Sequence, residues 1–337
     1  MIKHKIALIG FGTVGQGFIE ILLEKNFFLK NQYGFEFDVV GISDIAYGTV
    51  YNPDGLDLSE ILEDICIGRS FTQDSRSWQA LDLIKYSNAT VLCEMTYTNL
   101  KTGEPAISHC KAALNNGKHV VTCNKGPAAL AYSELKTLAD SKGLRFLIEG
   151  TVMSGTPLLN MADGPLSGCE IIAAQGILNG TTNYILTRME AGLTYENALK
   201  EAQGLGYAEA DPSGDVEGYD TRGKVTIIAN VVMGTSLKLE EVACNGITGI
   251  THNDIEQASL EGCKWKLIGT IKKNGNTIIA SVSPEKIPLS HPLAGVMGAM
   301  NAVTFTTDLL GDVSIMGPGA GRKETGFSIL NDILRIK

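Results

Sequence analysis

Two side chains four residues apart, Asp220 and Lys224, are the pair in this sequence best suited to moving a proton. They stand in YAEADPSGDVEGYDTRGK, residues 207–224, beside Glu209, Asp211, Asp215 and Glu217. At i and i+4, with the acid N-terminal, they meet on one helix face. That face continues through Ile227, Ile228 and Val231, so the spacing predicts that it points inward. A lysine drawn out of water gives up its proton more readily, which suits general acid–base chemistry. The same spacing also fits an ordinary surface ion pair beside an acidic loop. The carrier is expected to be a buried helix from Val216 to Met233 closed by Gly234, with Pro212, Gly214 and Gly218 making a tight loop on its approach.

The opening of the chain points to a nucleotide. Lys5–Ile9 reads as a short apolar strand that runs into Gly10, Phe11, Gly12, Thr13, Val14 and Gly15, and a helical pattern follows through Phe18, Ile21 and Leu22. Strand, tight turn and helix are the setting in which GxGxxG binds a dinucleotide. Gly10 permits the turn, Gly12 lets a pyrophosphate approach the backbone, and Gly15 lets helix pack on strand. The helix N-terminus turns its partial positive charge toward the phosphates. A glycine-rich turn without a ligand is the other reading. Glu36–Ser43 is the second strand, after an expected loop insertion at Asn26–Gly34. It ends at Asp44, which either accepts from ribose hydroxyls or is a plain turn residue. Ile45, Ala46 and Tyr47 follow, with no base to offset a 2′-phosphate, and this favours NAD over NADP.

The elements that must position these groups alternate. Ala89–Met95 is a buried strand with Thr96 at its carboxyl end, placed to touch a cofactor or to cap the next helix. A helix over 105–115 and the strand His119–Thr122 lead to CNKGP, where Lys125 is either a ligand-binding lysine at a strand mouth or a solvated loop lysine. Helix Tyr132–Ser141 and strand Leu144–Ile148 complete the alternation of a doubly wound sheet. Beyond Glu149 the pattern becomes α+β: a glycine-rich turn to Pro157, strand Glu170–Leu178, an N-cap cluster at 179–183 opening a helix to Glu190, and helix Tyr195–Leu205. Backbone N–H groups at 179–183 suit a substrate carboxylate or plain capping. Strands Lys264–Lys273 and Thr277–Val282 are joined by a turn at Asn274, Gly275 and Asn276. Met316–Gly321 then leads into a final helix, Thr325–Ile336.

Composition bounds the rest. The 337 residues are 44% hydrophobic and 19% charged, with a net charge of −9, which describes a globular protein and argues against a nucleic-acid or anionic-membrane surface. No apolar run approaches the roughly 20 residues of a membrane span. Seven scattered cysteines with no CxxC pair fit a reducing cytoplasm and give no zinc pattern. The strand at the N-terminus leaves no room for a signal peptide.

GFGTVGQG at 10–17, CNKGP at 123–127, EGTVMSGTP at 149–157, NGTTNYIL at 179–186, GYAEADPSGDVEGYDTRGK at 206–224 and GPGAG at 317–321 span essentially the whole chain. Together they resemble homoserine dehydrogenase, in the short form without a fused kinase or regulatory domain. The resemblance implies NAD(P)-dependent interconversion of L-homoserine and L-aspartate 4-semialdehyde, on the route to threonine, methionine and isoleucine, by a cytoplasmic homodimer. It implies an α/β chain: a Rossmann-type doubly wound domain over 1–149, completed by a C-terminal helix at 317–337, and an α+β, mixed-sheet catalytic and dimerisation domain over 150–316. Dimerisation would use the apolar stretches 292–300 and 302–310.

By the same resemblance, Lys224 is the proton-transferring lysine and Lys125 a second active-site lysine near nicotinamide and substrate. Asp215 and Asp220 would place the reacting oxygen and Lys224, and Glu209, with Gly180 and Thr181 beside it, would hold the substrate amino group. Gly10, Phe11, Gly12, Thr13, Val14, Gly15, Asp44, Thr96, Lys125 and Gly321 would contact the cofactor. Glu149, with the carbonyls of Val152, Ser154 and Thr156, is similar to a loop that holds a sodium ion. Relatives that favour NADP often carry a base after the strand-two acid, where Ile45 stands here. Two other classes fit parts of the sequence. A sugar or inositol dehydrogenase leaves the 209–224 carboxylates and Lys224 unexplained. A nucleotide sensor that lost catalysis would have decayed at Lys125, Glu209, Asp215, Asp220 and Lys224, and all five stand.

Overall fold

Strand β1 (Lys3–Ile9) ends in four residues, Ile6 to Ile9, that are at most 1% exposed. A parallel strand covered on both faces must be apolar on both. The computed structural model describes residues 3–72, 74–275 and 277–336; Asn276 of the expected turn, and Met1 and Lys337 of the expected first domain, lie outside the described residues. The chain divides into two units, one running to Gly155 and resuming at Gly321, the other Thr156–Ala320. Sequence placed the cuts at 149/150 and 316/317.

In the first unit β1 is followed by α1 (Thr13–Tyr33), β2 (Glu36–Asp44), β3 (Gly48–Tyr51), α2 (Leu58–Cys66), β4 (Ser75–Arg76), α3 (Ala80–Tyr86), β5 (Val91–Glu94) and α4 (Ala106–Asn115). Then come β6 (His119–Thr122), α5 (Lys125–Leu130), α6 (Tyr132–Ser141) and β7 (Phe146–Leu147). The sheet order is β4-β3-β2-β1-β5-β6-β7. Strands β2, β1, β5, β6 and β7 run parallel, while β3 and β4 pair antiparallel at one edge. The chain winds outward in both directions from β1, so the switch point lies between β1 and β5, and ligands of such sheets bind beyond the strand ends there.

The loop expected at Asn26–Gly34 is instead the last two turns of α1. From Phe18 to Tyr33 there is neither glycine nor proline to break the helix, and Leu29 is buried. The stop comes at Gly34, left-handed at φ 61, with the Phe35 N–H returning to the Leu29 carbonyl. The final helix, α13 (Arg322–Ile333), packs on α1 at backbone distance. A Cβ on Gly17 would stand 2.3 Å from the Arg322 carbonyl oxygen, and one on Gly326 2.6 Å from the Phe18 nitrogen.

The second unit contains α7 (Leu158–Asp163), β8 (Ile171–Ile177), α8 (Gly180–Glu190), α9 (Tyr195–Gly204), α10 (Ser213–Val216), α11 (Tyr219–Val232), β9 (Ala243–Cys244) and α12 (His252–Leu260). It ends with β10 (Cys263–Asn274), β11 (Thr277–Pro288), β12 (Met300–Thr307) and β13 (Gly311–Pro318). The sheet order is β13-β12-β8-β10-β11-β9, antiparallel except for the β11–β9 pair. Helix α11 presses on β10 at Gly269, where a Cβ would stand 2.6 Å from Val225. Ile177, Ile268 and Ala302 join Leu293, Ala294 and Val296 in a separate apolar cluster. Ile268 alternates with Gly269 along β10, which puts this cluster on the opposite face.

The helix expected from Val216 to Met233 is split. Gly218, at φ 83, separates α11 from the single turn α10, so the approach expected as a tight loop is itself helical. Ile227 and Ile228 are buried, but Val231 is only half-buried. The glycine-rich stretch from Met316 was expected to lead straight into a helix. Met316–Pro318 instead ends β13, because its neighbour β12 supplies the ladder that the sequence pattern alone does not reveal. The strand expected at Leu144–Ile148 is reduced to Phe146–Leu147, and β10 and β11 run longer than expected.

Candidate functional site

In the second unit, two chain segments meet: the turn that leads from β8 into α8, Leu178 to Thr181, and the α10–α11 segment with Asp215 and Asp220. Lys224 is 7% exposed. Its Nζ donates to Asp220 Oδ2 at 2.7 Å and to the Leu178 carbonyl at 2.7 Å. An ammonium has three N–H bonds. Two are spent on these fixed acceptors, and among the described residues no protein acceptor takes the third. The i,i+4 spacing read from sequence thus gives a buried lysine paired with a half-buried aspartate rather than a solvated pair.

Asn179 caps α8, its Oδ1 accepting from the Thr182 N–H at 2.9 Å. Its Nδ2 donates to Asp215 Oδ1 at 2.6 Å and to Asp220 Oδ2 at 3.0 Å. Burial raises the Asp215 carboxyl above its usual range, and the neighbouring Asp220 charge raises it further, against the hydrogen bonds of Asn179 and Thr181 and the charge of Lys224. The single Thr181 hydroxyl proton is shared between that carboxyl and the Tyr207 carbonyl, 2.6 Å from Oγ1, which ties the loop after α9 to α8. Gly180 has no room for a side chain, since a Cβ would stand 2.6 Å from the Ala299 carbonyl oxygen. Glu209 lies exposed on that loop, its backbone carbonyl held by Gln203 at 3.0 Å, and among the described residues no hydrogen bond joins its side chain to the aspartates.

The first unit gathers the glycine loop, Asp44 and Thr96 at the ends of β1, β2 and β5. Gly10 has φ 89, and a Cβ there would strike the Met95 carbonyl at 2.6 Å. Gly12 faces open space, and α1 begins with no side-chain cap. Exposed Gly12 and Thr13, with the uncapped helix start, therefore fit a pyrophosphate. Val14 is half-buried, and Gly15 lies where a Cβ would stand 2.9 Å from the Gly10 carbonyl oxygen. Phe11 is fully buried against Phe71, so only its backbone faces the turn. Its N–H donates to Asp44 Oδ2 at 2.7 Å, while Asp44 Oδ1 accepts from the Ala46 N–H at 2.8 Å. Each oxygen keeps a second lone pair for a ribose hydroxyl.

Lys125 stands at the first position of α5, behind the cap Asn124. Gly321, at φ 147, precedes α13. Of the expected cation-loop residues, Glu149 is 1% exposed and Val152 fully buried. Ser154, at φ 55, is bonded to Thr325. Oxygen donors of this kind suit a small hard cation. Thr156 opens the second unit and donates to the Pro318 carbonyl at 3.0 Å. Among the described residues no group of three or more His, Cys, Asp or Glu is gathered for a metal.

Sequence reasoning missed two residues. Asn179 was read only as a cap. Glu94, at the end of β5, went unremarked although a carboxylate closing an otherwise apolar strand is a signal. It is fully buried and bonded to Thr96, Thr122 and His109. Thr122 in turn accepts from the Asn124 N–H at 3.0 Å, and Asn124 reaches the Thr96 carbonyl at 3.0 Å, so this network braces both Thr96 and the cap before Lys125.

A homoserine dehydrogenase family model matches residues 157–334, and a homoserine dehydrogenase NAD-binding-domain model matches residues 10–149. An NAD(+)-dependent homoserine dehydrogenase of Pseudomonas canavaninivorans is 45% identical, over 100% of this chain and 97% of that protein. A homoserine dehydrogenase of Methanocaldococcus jannaschii is 43% identical over 98% of each. Among solved structures, a putative homoserine dehydrogenase of Archaeoglobus fulgidus superposes with a TM-score of 0.89 at 39% identity, covering 99% of this chain and 98% of the other. A hyperthermophilic archaeal homoserine dehydrogenase in complex with NADPH gives 0.85 at 31% identity, with the same coverage.

A carboxyl whose folded-state pKa is raised holds a proton that the unfolded chain releases. Stability then falls as pH climbs from the unfolded value through the folded one, and the penalty is complete above it. Asp215→Asn is therefore expected to melt at or above the wild-type temperature at pH 7, since an amide oxygen still accepts from Asn179. The gain should shrink as pH falls into the carboxylate range. A clearly lower melting temperature at pH 7 would show that Asp215 stabilises the fold.

Proposed function

Since the chain belongs to the homoserine dehydrogenase family, we propose that it interconverts L-homoserine and L-aspartate 4-semialdehyde with NAD(P), and that Lys224 moves the proton. The observation that carries the role of Lys224 is its buried ammonium, held by Asp220 and the Leu178 carbonyl with one N–H to give. Bound nicotinamide dinucleotide supplies or accepts the hydride. As the aldehyde is reduced its oxygen becomes strongly basic, and Lys224 protonates it; in the reverse direction Lys224 takes the hydroxyl proton. The ammonium also stabilises the developing alkoxide. Asp220 aims Nζ, and Asp215 positions the reacting hydroxyl. Glu209 takes the substrate ammonium, and the N-terminal N–H groups of α8 at Gly180 and Thr181 take its carboxylate. Lys125 keeps the role that the resemblance gives it, as the second active-site lysine.

Asp44 favours NAD. Its carboxylate is fixed by two backbone N–H groups, and the next side chain, Ile45, is fully exposed and uncharged. A 2′-phosphate there meets a negative charge that no base at Ile45, Ala46 or Tyr47 offsets. The Michaelis constant for NAD should be lower than that for NADP, and the reverse order would refute the assignment.

The protein is taken to act as a homodimer through the second unit, where Leu309, Leu310 and Met316 are 71%, 61% and 62% exposed. Light scattering at micromolar concentration should give twice the chain mass; a monomer would count against it. Among the described residues no helix is long and apolar enough to cross a membrane. The seven free cysteines support a reducing, cytoplasmic setting, which cell fractionation checks.

Lys224→Arg separates catalysis from pairing. Arginine keeps the charge beside Asp220 but is a poor proton donor. The variant should fold and bind cofactor while turning over homoserine about 10²–10⁴-fold more slowly. Turnover near the wild-type rate would move Lys224 to a structural role.

A further inference from the structure

We propose that Asn179 is a positioning residue of this active site, its side-chain amide holding Asp215 and Asp220 at a fixed separation and thereby aiming Lys224. The inference rests on the roles given above to Asp215, Asp220 and Lys224.

The hydrogen bonds form a closed ring. The Leu178 carbonyl accepts from Lys224 Nζ, Lys224 Nζ donates to Asp220 Oδ2, the same Oδ2 accepts from Asn179 Nδ2, and the backbone joins Asn179 to Leu178. The second proton of Nδ2 goes to Asp215 at 2.6 Å. Asn179 is 4% exposed, so water does not compete freely for these bonds. The amide is locked in one orientation, because turning it over would set its oxygen against two carboxylates and its NH2 against the Thr182 N–H.

Capping alone does not select this residue. Serine and aspartate cap helices as well as asparagine does. Asparagine adds one acceptor and two donors on a short, rigid side chain. The two donors stand between carboxylates that would otherwise repel each other, so the bridge sets where the acceptors face the reacting oxygen.

The test uses Asn179→Ser and Asn179→Asp in the full chain, with Lys224→Arg alongside. Both variants retain a cap and should leave the NAD dissociation constant unchanged; Asn179→Ser should keep a melting temperature close to wild type, whereas Asn179→Asp, with a third carboxyl in the cluster, should melt lower at neutral pH. Both lose the bridge, and kcat for homoserine oxidation should fall about 10–100-fold. The charged groups acting on Asp215 are Asp220 and Lys224 of α11, whereas Asn179 and Thr181 contribute only uncharged hydrogen bonds. In Asn179→Asp a third carboxyl replaces the donors, so Asp215 holds its proton to higher pH and the acid limb of kcat/KM should move upward by about one unit or more. A merely structural role would not move that limb.

Wild-type kcat and pH profile in a folded Asn179→Ser variant would overturn the proposal. If the Asp variant fails to fold, the Ser variant decides; loss of the fold in both would make Asn179 a structural residue and overturn it too. An active Lys224→Arg would instead show that the underlying reading of the site is wrong. An inactive Lys224→Arg with an unaffected Asn179→Ser would sink the Asn179 proposal alone.

Discussion

An ammonium removed from water must be given other partners, or the fold loses several kcal/mol. The second unit meets this demand at Lys224, and much of its local architecture follows. Asp220 must lie one helical turn earlier, β8 must end so that the next carbonyl, that of Leu178, meets Nζ, and Gly218 must break the helix so that Asp215 comes back toward Asp220. Gly269 lets α11 sit close enough to β10 for this to happen. Asp215 stands beside this pairing, and burial first, then the charge of Asp220, make it a carboxyl that holds its proton more tightly than usual. Groups tuned in this way are common where protons are moved.

The first unit meets a different constraint, the close approach of backbone to backbone and of backbone to ligand. Gly10, Gly15, Gly17 and Gly326 each occupy a place where a Cβ would collide with main-chain atoms. Glu94 adds a polar counterpart. It is buried completely and is answered by hydroxyls, an N–H and an imidazole, as a carboxylate without water requires. Its partners Thr96 and Thr122 end up fixed at the mouth of the sheet, next to the cap that precedes Lys125.

What could be read from sequence was local. The pair Asp220–Lys224 and the Gly10–Gly15 turn are set by spacings of a few residues, and the structure shows both. Asp44 was visible because it closes a strand. Asn179 was seen as a cap because its capped N–H is three residues away, but its bonds to Asp215 and Asp220 span 36 and 41 residues, beyond what periodicity records. Glu94 was hidden for the same reason, since His109 and Thr122 are 15 and 28 residues distant. The errors in secondary structure have related causes. Asn26–Gly34 looked like a loop because its aromatic residues do not continue a clean amphipathic pattern, and Phe27 is in fact 83% exposed on the helix. Strand β13 was hidden by its glycine and proline, which an edge strand tolerates.

The crossing of α1 and α13 carries a temporal meaning. Residues 17 and 326 touch, yet 308 residues lie between them, and the whole of the second unit falls in that interval. During synthesis the second unit has all its residues available before α13 has left the ribosome. The first unit must meanwhile wait with Phe18, fully buried at the end, lacking part of its cover. The fold therefore makes completion of the first unit's core wait until the whole of the second unit has been synthesised.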